Sequence, residues 1–262
     1  MTVDPVQALR AATRPAAPLA KAAPRLLVAG ATGALGAEVV RLLAGGATAH
    51  ATVVLAREPM TAGLRGVVPW QVPDEDPAGW PLQPVDIGLV LFDPPRLFHG
   101  RERALWVPQP AQLPEVAAWL HRCGAHTLAV VAPHDQGRLP EALKRGLASL
   151  DEHAVAALGF KRVLILRSAR KPASVGSTGL ARLAQAMLGV LRFMVPQSEQ
   201  PVRAVSVARM LASALREAPA GIHIASPQTV WQASQQGGEA VVREWLHGRV
   251  GPVPARSTAQ SG

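Results

Sequence analysis

Gly30-Ala31-Thr32-Gly33-Ala34-Leu35-Gly36 is the stretch whose residue types and spacing speak most clearly of chemistry. It follows a short apolar run and opens a run of helical periodicity. Glycines in that setting suit a turn that cradles a diphosphate. Gly30 permits a tight exit from a strand, Gly33 lets backbone approach the phosphates, and Gly36 lets the helix pack closely on the sheet. The N–H groups at the start of the helix, those of Ala34 and Leu35 among them, lack partners within the helix and lie at its positive dipole end. The Thr32 hydroxyl adds a further donor. Gly30, Thr32, Gly33, Ala34, Leu35 and Gly36 are therefore the expected dinucleotide-binding residues.

The second apolar run selects the dinucleotide. NAD sites place an Asp or Glu at the end of this strand, to bind the ribose 2′-hydroxyl. This chain reads Val54-Leu55-Ala56-Arg57, with no acid at the tip. A guanidinium there suits a 2′-phosphate, to which it makes paired hydrogen bonds. Arg57 thus points to NADP, with Glu58 beside it as a partial offset.

The remaining reactive side chains are sparse. His134 and Asp135 follow the fifth expected strand, where the mouth of a site in an open α/β sheet should lie. Histidine titrates near neutrality, which makes His134 the candidate acid, against the plainer reading of a loop His-Asp pair. The chain contains no tyrosine. Its single cysteine, Cys123, reads as buried filler and cannot form an internal disulfide. The eight histidines show no metal-ligand spacing, so no metal is expected. Asp74, Glu75 and Asp76 read as a solvated acidic loop between Trp70 and Trp80.

Composition bounds the partners. The chain has 262 residues, 48% of them hydrophobic and 17% charged, enough for one domain with a sizeable core. No apolar run reaches the roughly 18 residues of a membrane span. The net charge of +9 is spread over pairs and triplets such as Lys144-Arg145 and Lys161-Arg162. No aromatic residues are interleaved to stack on bases, so nucleic acid is not the expected partner. A dinucleotide is, with a small molecule or a protein as further possibilities. One cysteine and no secretory apolar core fit a cytoplasmic location.

Continuous apolar strands are expected at 25–29, 52–56, 67–72, 86–92, 126–132 and 162–166. Amphipathic helices fall between them, including one opened by Pro114 and a long one striped by Leu143, Leu147, Leu150, Ala154 and Leu158 and closed by Gly159. This alternation predicts an α/β, doubly wound parallel-sheet Rossmann fold, covered on both faces. Beyond 170, helices are expected around Leu180–Leu191 and from about Val205, a strand at 221–226, and a last helix holding Val241, Val242, Trp245 and Leu246. The expected organisation is a flexible Ala/Pro-rich tail over 1–24, a dinucleotide-binding core over 25–170, a small C-terminal helical lobe over 171–247 completing the same domain, and a second tail over 248–262.

The glycine turn, Leu55-Ala56-Arg57 and Leu158-Gly159-Phe160-Lys161-Arg162-Val163-Leu164-Ile165-Leu166-Arg167 together resemble the atypical short-chain dehydrogenase/reductase superfamily, in its NmrA-like and TIP30-like NAD(P)-binding group. The resemblance covers about residues 25–230, and its specific motif is the turn. It implies a Tyr-x-x-x-Lys pair on the long helix after the fifth strand, and a Ser or Thr at that strand's end. Here the helix offers Lys144 with Pro140 four residues before it, and the strand ends Val131-Ala132-Pro133-His134. The phenol that protonates a carbonyl as hydride arrives is missing.

These residues predict an NADP(H)-binding Rossmann protein without the Tyr-x-x-x-Lys pair, acting as a sensor, regulator or assembly factor. The alternative is an NADPH-dependent reductase or isomerase with non-standard acid–base residues, His134 first among them. The sequence leaves open whether the chain is an enzyme.

Overall fold

The computed structural model describes residues 24–44, 51–60, 66–73, 76–96, 99–134, 153–169, 202–235 and 238–248. Among these residues run seven strands, in chain order β1 Arg25–Ala29, β2 Ala51–Ala56, β3 Val67–Gln71, β4 Ile87–Leu91, β5 Thr127–His134, β6 Arg162–Ala169 and β7 Gly221–Ala225. All their pairings are parallel, in the order β3-β2-β1-β4-β5-β6-β7. This is the doubly wound Rossmann arrangement. Its strand order reverses between β1 and β4, which opens a crevice at their C-terminal ends.

Helices among the described residues include α1 Gly33–Ala44, a single turn α2 Gly100–Arg103, α3 Leu113–Arg122, α4 Ala204–Glu217, α5 Pro227–Gln235 and α6 Gly238–His247. The inner strands β1, β2, β4, β5 and β6 are apolar on both sides because both faces of the sheet are covered there, while the edge strands β3 and β7 are largely exposed. On one face, Leu26, Val28, Leu89, Leu91, Ala129, Leu164 and Leu166 pack with Leu35, Val39 and Leu43 of α1 and with α4, α5 and α6. On the other, Leu27, Ala29, Leu55, Val90, Leu128, Val130 and Ile165 pack with Val116, Trp119 and Leu120 of α3. The C-terminal elements therefore build into the core: β7 extends the sheet and α4 lies against α1.

Tryptophans consolidate the second face. Trp119 is fully buried. Its ring meets that of Trp70 of β3 at 5.5 Å, tilted by 32°, and stands edge-on to Trp80 at 5.0 Å. Trp80 in turn meets Trp106 edge-on at 4.8 Å. The Trp119 indole N–H donates to the Pro81 carbonyl at 3.2 Å. The Asp76 carboxylate accepts from the Ala78 amide and starts the tight turn that leads Trp80 inward.

Several expected boundaries shift for identifiable reasons. β5 runs through Pro133 to His134, two residues past the expected end. Its ladder with β4 stops at Leu91 opposite Val131, and beyond that only β6 accompanies it. Pro133, which has no N–H, therefore stands where one flank needs no donor. α5 is absent from the sequence expectations, since only Val230 and Ala233 of its nine residues are buried. Gly159 adopts φ +82° after the helical turn at 153–156, the conformation of a C-terminal glycine. The tail over 1–23, most of the long helix before Gly159, and the Leu180–Leu191 helix lie outside the described residues.

Removing the indole at the centre of these ring contacts should be costly. Trp119→Ala is expected to lower unfolding stability by about 3–5 kcal/mol, as for other buried large-to-small changes. Urea denaturation followed by circular dichroism measures it, and a loss below about 1 kcal/mol would mean that the cluster adds little.

Candidate functional site

The glycine turn leaves β1 at the crevice and enters α1, as expected. Gly30, Ala31, Thr32, Gly33, Leu35 and Gly36 are buried, and Ala34 is exposed. What buries them is the chain that follows β4. The Thr32 hydroxyl donates to the Asp93 carbonyl. The Leu35 amide donates to Asp93 Oδ2 at 3.3 Å. The Gly33 amide donates to Glu102 Oε2 at 3.0 Å. The positive end of α1 thus faces two carboxylates from the same polypeptide.

Glu102 is held from a second side. Its Oε2 also accepts from the Arg96 amide at 2.8 Å. Arg96 Nε donates to its Oε1 at 2.7 Å, and the terminal Arg96 nitrogen completes a forked ion pair. The Glu102 side chain is only 10% exposed. Burial alone pushes its carboxyl up. The Arg96 side chain, the Arg96 and Gly33 amides and the Arg96 charge together outweigh that, holding it below the usual carboxylate range.

Around this contact, residues 104–106 are strapped across the ends of β1 and β2. The Arg57 amide donates to the Ala104 carbonyl at 2.7 Å, and the Trp106 amide to the Leu55 carbonyl at 2.9 Å. The Gly30 amide donates to the Trp106 carbonyl at 3.2 Å. Leu105 bridges antiparallel to Ala56. This backbone lies where a dinucleotide would cross from the pyrophosphate site toward the tip of β2.

A diphosphate does not fit this arrangement. Gly33 has φ +69°, and a Cβ built on it would stand 2.8 Å from Asp93 Cβ and 3.1 Å from the Pro94 carbonyl. The close approach that Gly33 permits is to the chain's own loop. Two carboxylates stand at the amides that phosphate oxygens would use, and like charge opposes an incoming anion. At Gly36 the close approach is to the turn itself, its missing Cβ falling 2.4 Å from the Ala31 carbonyl carbon.

The other expected residues are dispersed. Arg57 lies beyond β2 beside an open cavity of about 300 Å³ that it lines with Gln71, Val72 and Pro73. Its carbonyl accepts from Gln71 Nε2 at 3.1 Å. His134 ends β5 opposite Ala169 of β6, and its side chain, with Asp135, Pro140 and Lys144, lies outside the described residues. Cys123 is buried, and burial pushes its thiol up, away from the reactive thiolate. Sequence reasoning passes over Asp93, Arg96 and Glu102. The available signal is Asp93-Pro94-Pro95-Arg96 soon after β4, at the switch point where ligand loops converge.

No family profile and no curated protein sequence matches this chain. Solved structures with a similar course of chain include MoeE5 in complex with UDP-glucuronic acid and NAD, at 16% identity, 76% of this chain, 75% of that one and a TM-score of 0.46. A nucleoside-diphosphate-sugar epimerase from Staphylococcus aureus matches at 11% identity over 74% of this chain and 67% of its own, with a TM-score of 0.44. A Rossmann-fold NAD(P)-binding family protein from Shigella flexneri matches at 17% identity over 74% and 87%, with a TM-score of 0.43. The likeness is one of fold.

Two outcomes follow from the geometry. Gly33→Ala should destabilise the protein by about 1–3 kcal/mol, through strain at positive φ and the clash with Asp93; thermal unfolding at neutral pH measures it. Because the folded-state pKa of Glu102 is depressed, its contribution is present above the ordinary carboxylate range and is lost as pH falls through the folded value. Glu102→Gln should therefore cost about 1–3 kcal/mol at neutral pH and flatten the acid limb of a stability–pH profile. An unchanged acid limb would show that the ion pair does not contribute.

Proposed function

We propose that this protein is a non-catalytic Rossmann protein, a regulator or assembly factor, in which NADP(H) meets a phosphate site already taken by the chain's own carboxylates. The observation that carries this reading is the Gly33 amide bonded to a buried Glu102, itself neutralised by Arg96. In a dinucleotide-dependent enzyme those amides must be open to phosphate oxygens. Here NADP(H) is a competitor of Glu102 rather than a resident cofactor. Arg57 near the tip of β2 supports a preference for NADPH over NADH in what binding remains.

The chemistry points the same way. A chain without tyrosine has no phenol to protonate a carbonyl oxygen. General acid catalysis of roughly 10²–10⁴-fold is then absent unless another group supplies it. The fold supports a docking or regulatory role equally well without turnover, because a Rossmann sheet is a scaffold whose function lies in its sites.

Calorimetric titration of the full chain with NADPH and NADH, beside a turnover assay on aldehydes, ketones and quinones, tests the proposal. Displacing even one charge-assisted hydrogen bond reduces affinity by roughly ten- to a hundredfold. The expected result is weak NADPH binding, weaker NADH binding and no cofactor oxidation. Tight, stoichiometric NADPH binding by the unaltered protein, or robust turnover, would overturn it.

A further inference from the structure

We infer that the free edge of β7 is an interface with a second copy of this chain, the two β7 strands pairing antiparallel about a two-fold axis at Ile222. The inference is independent of what the glycine turn holds.

β7 ends the sheet and pairs with β6 on one side. The Gly221 amide donates inward to the Lys161 carbonyl. Alternation along the strand therefore turns the N–H and C=O groups of Ile222 and Ile224 outward. Their side chains lie opposite Val163 and Ile165 of β6, on the face that α3 covers further in. At the edge that cover is missing among the described residues: Ile222 is 52% exposed and Ile224 42%. The strand, Gly-Ile-His-Ile-Ala, holds neither proline nor a Lys, Arg, Asp or Glu. Edges that stay solitary are usually blunted by such residues, as Pro69 blunts β3 at the opposite end of the sheet.

One feature of the edge selects its occupant. The Trp245 indole already donates to the Ile224 carbonyl at 3.0 Å. An extended peptide running along the whole edge needs that acceptor. So does a two-fold axis at His223, which sets Ile222 opposite Ile224. An axis at Ile222 leaves it to Trp245. There the Ile222 amide donates to the carbonyl of the partner's Ile222 and receives the reciprocal bond, as in an antiparallel hydrogen-bonded pair. A residue that pairs with itself is what a two-fold interface requires. The axis stands perpendicular to the sheet, so each face continues into the same face of the other copy. The two Ile222 side chains then meet at the seam, flanked by Ile224 of each copy, and form one apolar strip where each copy alone exposes two isoleucines. The paired edge is short, which makes this a weak and reversible association.

Sedimentation velocity of the full chain over a range of protein concentrations tests the interface, beside Ile222→Lys and, on the other edge, Val68→Lys. Circular dichroism verifies folding. The unaltered protein should show a monomer–dimer equilibrium. Ile222→Lys sets two like charges opposite each other at the axis and should raise the dissociation constant by about tenfold or more, with Val68→Lys unchanged. A monomer at every concentration would overturn the inference. So would a dimer that Ile222→Lys leaves intact, or one that Val68→Lys disrupts equally.

Hydrogen exchange on the unaltered protein decides the matter if the variant does not fold. Protection of the Ile222 amide should rise with protein concentration, while that of Leu164, inside the sheet, should not. An Ile222 amide protected equally at all concentrations would show that the chain covers this edge itself. One that exchanges freely in the dimer would place the contact elsewhere. Either result would sink the β7 interface.

Discussion

The carboxylate of Glu102 against the N-terminal amides of α1 is the contact on which the rest of this site depends. Every helix begins with N–H groups that have no partner within it, and burying them unpaired is costly. Rossmann proteins that use a dinucleotide leave this end of the first helix for phosphate. Here the chain satisfies it from 69 residues away. That bond draws the segment after β4 over the turn, and with it Asp93, Arg96 and the strap at 104–106. The segment after β4 thus lies over the turn at the switch point.

The sheet makes such a substitution mechanically sound. Both faces are packed, so the ends of β1, β2 and β4 are held in register and present fixed backbone groups to whatever crosses them. Gly30, Leu55 and Arg57 offer those groups to the strap. The edges are managed separately. β3 carries Pro69, which has no amide to offer a neighbouring chain. On β7 the Trp245 indole donates to the Ile224 carbonyl at 3.0 Å and occupies part of the free edge.

The basic balance of the chain finds partly structural use. Arg162, at the start of β6, donates to the Ala218 carbonyl and the Thr127 hydroxyl, and burial pulls its pKa down. Arg122 ties the end of α3 to the Pro77 and Ala78 carbonyls beneath the tryptophans. Arg96 neutralises the carboxylate buried beside the turn. Among the described residues, no helix is long and apolar enough to cross a membrane.

What is legible in the amino-acid order is what depends on neighbours along the chain. Continuous apolar runs locate the strands to within a few residues, because a strand buried on both faces cannot alternate. The three glycines locate the turn, since only residues without a Cβ tolerate positive φ and such close approach. Alternating strands and helices settle the parallel, doubly wound class. α5 escapes notice because its burial rests on two side chains, too few to write a period. Tertiary structure alone decides what the turn holds. Its spacing is the same whether a phosphate or a carboxylate accepts from Gly33, and Glu102, between two arginines in sequence, reads as a solvated charge. Its burial follows only when the sheet order sets β4 beside β1 and brings the two segments together, a long-range pairing that no local pattern encodes.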